Sequence, residues 1–154
     1  MKTIEHELRL GNILVYKGKA ARVTTVNTTP NAINIRVVGE ESSLFFLAPK
    51  FDRDLKGLPV DDTVLMKLGL ISKDTYNGYL YTYKKDDGDY PYYQLDVEYD
   101  TYEGCWAATV CAPKGCISHI YTKYLHELQN ALVGVDFDEE FISGFFDKVK
   151  RGNY

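Results

Sequence analysis

The sequence predicts an α+β fold, in which a small barrel-like sheet and a tyrosine-rich antiparallel sheet are combined with short helices. Three observations support this prediction. Short β-branched runs separated by turn residues fill the first fifty positions, hairpin signals recur in the centre, and two later segments place apolar residues at helical spacing. The 154 residues are enough for one ordinary domain.

The barrel-like sheet is predicted over residues 1–50. Its four strands are expected at 13–16, 22–26, 33–37 and 44–47. Gly18 can take a positive φ and permits a tight turn between the first two strands. Ile33, Ile35 and Val37 alternate with period two and share one face. Short strands at this close spacing are typical of a small barrel or a curled sheet.

A short helix is predicted after a polar connector. Asp61 can cap its first turn, and Gly69 stands where a left-handed cap ends a helix. Between them Val64, Leu65 and Leu68 form an apolar stripe at helical spacing.

The tyrosine-rich sheet and a second helix are predicted next. Four strands are expected at 79–83, 90–99, 106–111 and 116–121. Asp87-Gly88 is a strong hairpin signal because both residues tolerate positive φ, and Pro113 and Gly115 mark a second turn. A packed helix is expected over about 122–133, closed by Gly134. Its apolar face consists of Tyr124, Leu125, Leu128, Ala131 and Leu132.

The last residues carry their own helical pattern, with acids at the start and bases at the end, as the helix dipole favours. Its apolar members are Phe137, Phe141, Ile142, Phe145, Phe146 and Val149. We predict one α+β domain over residues 1–135, with a barrel-like part at 1–50 and a sheet plus helix at 58–135. A helical extension at 136–154 packs on the same body or joins copies into a homo-oligomer.

Composition and charge exclude several function classes. The chain has 45% apolar and 26% charged residues, as soluble globular proteins do. Its net charge of −4 argues against non-specific binding of nucleic acid. No run approaches the roughly 18 apolar residues that a membrane helix needs, and the first residues lack the apolar core of a signal peptide. We therefore expect a cytoplasmic protein that does not bind a membrane.

The sequence also predicts neither a metal site nor an active site. Cys105, Cys111 and Cys116 fit no CxxC pattern and are expected to be reduced, structural residues. No G-x-S-x-G, P-loop, G-x-G-x-x-G or H-E-x-x-H motif occurs. Ser118 and His119 are adjacent and would point to opposite faces of a strand. We expect no catalytic residue, no cofactor and no enzymatic activity.

Tyrosine is unusually abundant, and eleven of the 13 lie between residues 76 and 124. Several share predicted strand faces and would form an aromatic surface, which suits a protein interface or the stacking of bases. The alternative is a sheet face packed beneath the last helix or the Phe-rich tail. The candidate partner-binding residues are Tyr81, Tyr83, Tyr93, Tyr99, Trp106, His126, Gln129 and Asn130.

Two further features leave alternatives open. His126, Gln129 and Asn130 occupy one stripe of the second predicted helix, where they either line a polar pocket or bond to neighbouring backbone and fix the helix. Residues 1–50 carry a net charge of +3 and the remainder −7, with seven acids from Asp86 to Glu103. These acids either steer a basic partner to the central hairpin or form a solvated outer face.

Three segments resemble an uncharacterised family of small proteins encoded by phages and integrated elements of Bacteroidota. Residues 7–12 (ELRLGN) are similar to its opening "ELRIGN" phrase, and 58–70 to a central "PLTEExLLKLGF" phrase. Residues 124–134 (YLHELQNALVG) are similar to its closing "VHxLQN…ALTG" phrase, but lack an internal Leu-Tyr. An aromatic tail also continues past the point where the family usually ends. The resemblance implies a phage or mobile-element context and no particular activity.

Together these observations predict a non-enzymatic accessory protein that acts by binding in the host bacterial cytoplasm. It would neutralise a host factor or defence signal, either as an inhibitor that binds a host protein or as a sponge for a small nucleotide-like ligand. The alternatives are a nucleic-acid-binding protein, which the acids disfavour, and a structural protein associated with the virion.

Overall fold

The structure is a computed structural model that describes residues 8–76, 78–86 and 92–154. It confirms the α+β class, since the described residues form two antiparallel five-stranded sheets and four short helices. By compactness the chain divides into unit 1, residues 8–58 with Phe146–Tyr154, and unit 2, Pro59–Phe145. The division predicted from the sequence, a domain over 1–135 with an extension at 136–154, stays a prediction.

The sheet of unit 1 is a curled half-barrel in the order β4-β3-β2-β1-β5. Its strands are β1 (Ile13–Tyr16), β2 (Lys19–Thr28), β3 (Asn31–Val37), β4 (Leu44–Leu47) and β5 (Leu55–Gly57). The buried core that it encloses consists of Leu8, Leu14, Ala21, Val23, Ile33, Ile35, Val37 and Leu55. Strand β5, in the predicted connector, was not anticipated; it pairs with β1 and contributes Leu55 to the core.

The turn between β1 and β2 confirms the role predicted for Gly18. Lys17 and Gly18 have φ values of 48° and 82°, and Tyr16 pairs directly with Lys19 across them. The last residues of unit 1 lie against this turn. The Tyr154 N–H donates to the Gly18 carbonyl at 2.8 Å, and Asn153 forms a β-bridge with Lys19.

The sheet of unit 2 has the order β10-β9-β8-β7-β6. Its strands are β6 (Ile71–Thr75), β7 (Gly78–Asp86), β8 (Tyr92–Asp100), β9 (Cys105–Ala112) and β10 (Gly115–Thr122). The predicted Asp87-Gly88 turn lies outside the described residues. The strands on either side of it do pair, with Asp86 opposite Tyr92. Strand β6 was not predicted.

Four helices are described: α1 (Asp62–Lys67), α2 (Leu125–Gly134), α3 (Glu139–Ser143) and α4 (Phe145–Val149). Asp61 caps α1 as predicted, since its Oδ1 accepts the Val64 N–H at 2.8 Å, and Gly69 has a φ of 96°. Helix α2 begins later than expected because residue 122 still belongs to β10. The tail forms two short helices instead of one, divided at Gly144, a residue with low helix propensity.

The expectation that all three cysteines are reduced was wrong. Cys111 on β9 lies directly opposite Cys116 on β10, with their Cα atoms 4.1 Å apart, and the two form a disulfide. A separation of five residues is what a tight hairpin needs to bring two side chains face to face. Cys105 keeps a free thiol.

Candidate partner-binding site

One face of the unit 2 sheet carries five of the eight predicted site residues. Strand pairing places Tyr81 opposite Val97, and Tyr99 opposite Trp106. Because side chains alternate along a strand, the neighbours two positions away share this face. The face, termed the inner face below, comprises Tyr81, Tyr83, Tyr93, Leu95, Val97, Tyr99, Trp106, Ala108 and Val110.

Tyr81 is a buried, hydrogen-bonded member of the inner face. Its side chain is 4% exposed, and its hydroxyl donates to Oδ1 of Asp62 on α1 at 2.6 Å. Its ring meets Trp106 edge to face, with centroids 5.8 Å apart. The hydrogen bond to the Asp62 carboxylate, together with burial, raises the pKa of Tyr81 to about 12. Tyr81 is therefore held as a neutral donor inside unit 2.

Replacing Tyr81 by phenylalanine is expected to lower the free energy of unfolding by about 1–3 kcal/mol near pH 8, since a part-buried hydrogen bond to a carboxylate is lost. Because the folded pKa of about 12 exceeds the unfolded value of 10, the contribution of Tyr81 is complete below pH 10 and is lost as the pH rises toward 12. Urea unfolding of both proteins at pH 8 and 11 should show their difference shrinking by about 1.4 kcal/mol. A difference that stays constant over this range would contradict the assignment.

Tyr83 and Tyr93 contact the Phe-rich segment, by which we mean Phe137, Phe141 and Phe145. The ring of Tyr83 stacks on Phe141, with centroids 3.8 Å apart and planes 16° apart, and its hydroxyl donates to Asp138 Oδ2 at 3.0 Å. Tyr93 meets Phe137 edge to face at 5.3 Å. These contacts favour the alternative in which the tyrosines form the floor beneath the Phe-rich tail. Tyr99 differs, since it is 46% exposed.

The three predicted site residues on α2 are buried to different extents. His126 is fully buried, Gln129 is 6% exposed, and Asn130 is half-buried. The His126 ring lies parallel to that of Tyr124, with centroids 5.8 Å apart. Their burial favours the alternative in which they fix the helix against its neighbours.

Beside Tyr93 lies an open hollow of about 430 Å³, which we term the Tyr93 hollow. Its lining residues are Tyr93, Val133, Asp136, Phe137, Glu139, Ile142 and Ser143. The sequence did not identify Val133 or Ile142 as site residues. Val133 lies off the main apolar stripe of α2 and is 52% exposed. The one signal in the sequence that could have identified it was an apolar residue placed outside the buried stripe of a helix. The hollow thus joins apolar side chains to two exposed carboxylates, those of Asp136 and Glu139.

The opposite, outer face of the unit 2 sheet is acidic. Asp96, Glu98 and Asp100 occupy alternate positions of β8 and so project from one face. Asp96 is bonded within the sheet, since its two oxygens accept from Thr82 Oγ1 at 2.6 Å and Gln94 Nε2 at 2.7 Å. Glu98 and Asp100 line a second hollow of about 430 Å³ with Ala107 and His119 among its other residues. These residues account for three of the seven acids noted in the sequence.

Two further titratable groups lie beside these acids, the thiol of Cys105 on β9 and the phenol of Tyr121 on β10. Burial, followed by the nearby carboxylates of Asp100 and Glu103, raises the pKa of Tyr121. The same two carboxylates add to the effect of burial in raising the pKa of Cys105. The thiol is therefore kept protonated, which makes it a poor nucleophile.

Unit 1 has a hollow of a different character. It has a volume of about 470 Å³ and is lined by Tyr16, Lys17, Lys19, Val37, Glu40, Ser42 and Leu44. The Lys17 ammonium lies 5.3 Å from the centroid of the Tyr16 ring. Two amines beside an aromatic ring suit an anionic ligand, so this hollow is where the hypothesis of a nucleotide-like ligand would apply. That hypothesis stays a prediction.

Within residues 8–76, 78–86 and 92–154, no three His, Cys, Asp or Glu side chains are grouped so that they could hold a metal ion. No helix in those ranges has the length and apolar character needed to cross a bilayer. Comparison with protein-family models, curated proteins and solved structures finds no match to this chain.

Proposed function

We propose that this chain is a non-enzymatic accessory protein of a phage or mobile genetic element, which binds a host protein and neutralises it. The observation that carries the proposal is the Tyr93 hollow, where apolar side chains lie open to solvent between carboxylates. Protein interfaces commonly have an apolar centre and a polar rim, and a pocket that accepts one side chain often dominates affinity. The phage context is supported by the sequence resemblance alone.

The charges around the hollow indicate the chemistry of the partner. Asp136 and Glu139 at the hollow would repel the phosphates of a nucleic acid or nucleotide. Asp136 already attracts one cation, since Lys114 Nζ lies 3.0 Å from its carboxylate. A fitting partner segment therefore presents one large apolar side chain flanked by lysine or arginine.

An arginine at Val133 tests this proposal, because it would fill the hollow and repel a basic segment. Val133 is 52% exposed, so the substitution should leave the fold intact. Ile71→Arg is the matched control, since it makes the same kind of change at a residue on β6 that is 69% exposed. Immobilised wild-type and variant proteins are incubated with Bacteroidota lysate, and captured proteins are identified by mass spectrometry.

We expect at least one host protein to be captured by wild type and by Ile71→Arg but lost with Val133→Arg. With the purified partner, Val133→Arg should weaken the dissociation constant by at least about tenfold, the effect of about 1.4 kcal/mol. Added salt should weaken the wild-type complex if basic residues contact the rim. Equal capture by all three proteins, or no capture by wild type, would contradict the proposal.

A further inference from the structure

We propose that strand β4 is a self-association edge, through which two copies of this chain pair antiparallel to form a closed dimer. The proposal concerns unit 1 and is independent of the Tyr93 hollow. An unpaired edge strand offers a row of backbone donors and acceptors to any other strand, so natural proteins protect it with short length, charge or a bulge.

Three of the four sheet edges in the described part of the chain carry such protection. Strand β5 is three residues long and contains Lys56. Strand β6 contains Lys73 and Asp74. Strand β10 has an irregular register between Ile117 and Ile120, as a β-bulge produces. Each device hinders the addition of another strand.

Strand β4 is also short, at four residues, but it carries neither a charge nor a bulge. Its sequence is Leu-Phe-Phe-Leu, its pairing with β3 is regular, and no charged residue occurs from position 42 to position 49. Phe45 is 60% exposed and Leu47 is 63% exposed. Apolar side chains of this size at an unprotected edge indicate a surface that another strand covers.

The backbone of β4 is oriented for pairing on its open side. The Ala48 N–H donates to the Asn31 carbonyl at 2.8 Å, which makes positions 48 and 31 a hydrogen-bonded pair. Hydrogen-bonded pairs alternate along an antiparallel ladder, so Leu44 and Phe46 also bond toward β3. The N–H and C=O groups of Phe45 and Leu47 therefore point away from β3, toward the open edge.

The side chains of β4 alternate in the same way. Phe46 points to the core, where its ring meets Tyr16 edge to face at 5.8 Å. Phe45 and Leu47, two positions apart, lie on the other face. The two residues with outward backbone groups are thus also the two with exposed apolar side chains.

A second copy is the occupant that fits these groups. If Phe45 of one copy lies opposite Leu47 of the other, the two strands exchange four hydrogen bonds and all the outward groups of both residues are used. The same register brings the exposed phenyl and isobutyl groups into contact and places the two Phe46 residues opposite each other on a two-fold axis. Because β4 has no charged residue, pairing two copies of it places no like charges next to each other at the strand, even though each chain has a net charge of −4.

The predicted dimer is weak and stops at two copies. Pairing two four-residue strands buries much less than the roughly 1,200–2,000 Å² typical of stable interfaces, so a dissociation constant in the micromolar range or above is expected. Each chain has one β4 edge, and pairing consumes it. The other described edges are protected, so growth to fibres is not expected.

Sedimentation velocity over about 5–500 µM tests the proposal, a range chosen to bracket weak self-association. Wild type should shift from monomer to dimer as concentration rises. Phe45→Lys, which places a charge on the exposed face of β4, should remain monomeric at every concentration. Ile71→Lys is the matched control on β6, at an isoleucine that is 69% exposed against 60% for Phe45, and it should dimerise as wild type does. A monomeric wild type, an unaffected Phe45→Lys variant, or growth beyond two copies would overturn the proposal.

A second measurement needs no side-chain change at the edge. Amide exchange of Phe45 and Leu47 should slow several-fold when the concentration of wild type is raised from monomeric to dimeric conditions, because their N–H groups become bonded. The amide of Phe46, already bonded within the sheet, should change less.

A proline at position 47 tests the backbone bonds directly. Leu47→Pro removes an N–H that points to the open edge while sparing the bonds to β3, and it should abolish the dimer. Concentration-independent exchange of Phe45 and Leu47 would overturn the proposal.

Discussion

Replacing Phe141 by alanine is expected to lower the free energy of unfolding by about 3–5 kcal/mol, the range for deleting a buried aromatic ring. Phe141 is 6% exposed and stacks on Tyr83 at 3.8 Å. It also meets Phe145 edge to face at 4.9 Å. Its removal leaves a cavity among rings and uncovers Tyr83. Urea unfolding followed by circular dichroism measures the loss.

The neighbouring substitution Ile142→Ala provides the control for this prediction. Ile142 is half-buried and lines the Tyr93 hollow, so its truncation removes less buried surface and should cost clearly less than that of Phe141. Solvent quenching of tyrosine fluorescence should increase in Phe141→Ala and stay near the wild-type value in Ile142→Ala. Equal stability losses would show that the Phe-rich segment does not cover the tyrosines.

The disulfide between Cys111 and Cys116 is expected to contribute about 2 kcal/mol to stability, the value for constraining a loop of this short length in the unfolded chain. Cys111→Ser/Cys116→Ser should lower the free energy of unfolding by that amount, and addition of a reductant should lower it equally in wild type. Thermal unfolding with and without reductant measures both effects.

Cys105 supplies the control for the disulfide. Cys105→Ser retains the bridge and should remain sensitive to reductant, although serine in a half-buried position has a small cost of its own. The double serine variant should be insensitive to reductant. A wild-type protein whose stability does not respond to reductant would contradict a stabilising role for the bridge.

The elements that the sequence predicted well are those with a local signal. Strand β4 has the predicted bounds because four large apolar residues stand between two serines and Ala48-Pro49, and α1 begins where Asp61 caps it. Strand β6 was not predicted because its five residues are all exposed and show no alternation of apolar and polar side chains. It is a strand because β7 pairs with it, and pairing is not visible in its own sequence.

The candidate site depended on contacts between distant parts of the chain. The sequence correctly predicted that Tyr81 and Tyr83, and likewise Tyr93 and Tyr99, would share strand faces, since that follows from alternation. It left open what covers them, because the covering residue Phe141 lies far along the chain from Tyr83. The cysteine pair was missed for a related reason, since spacing alone did not distinguish a hairpin bridge from two reduced thiols.

The make-up of unit 1 has a consequence for synthesis. Its sheet is encoded near the beginning of the chain, yet Phe146–Tyr154 belong to the same unit, and Tyr154 bonds to Gly18. During translation, the half-barrel therefore cannot contact Phe146–Tyr154 until all of unit 2 has been synthesised. Contacts between such distant residues form slowly. During this interval the β1–β2 turn of the nascent half-barrel lacks the backbone partners that Asn153 and Tyr154 later supply.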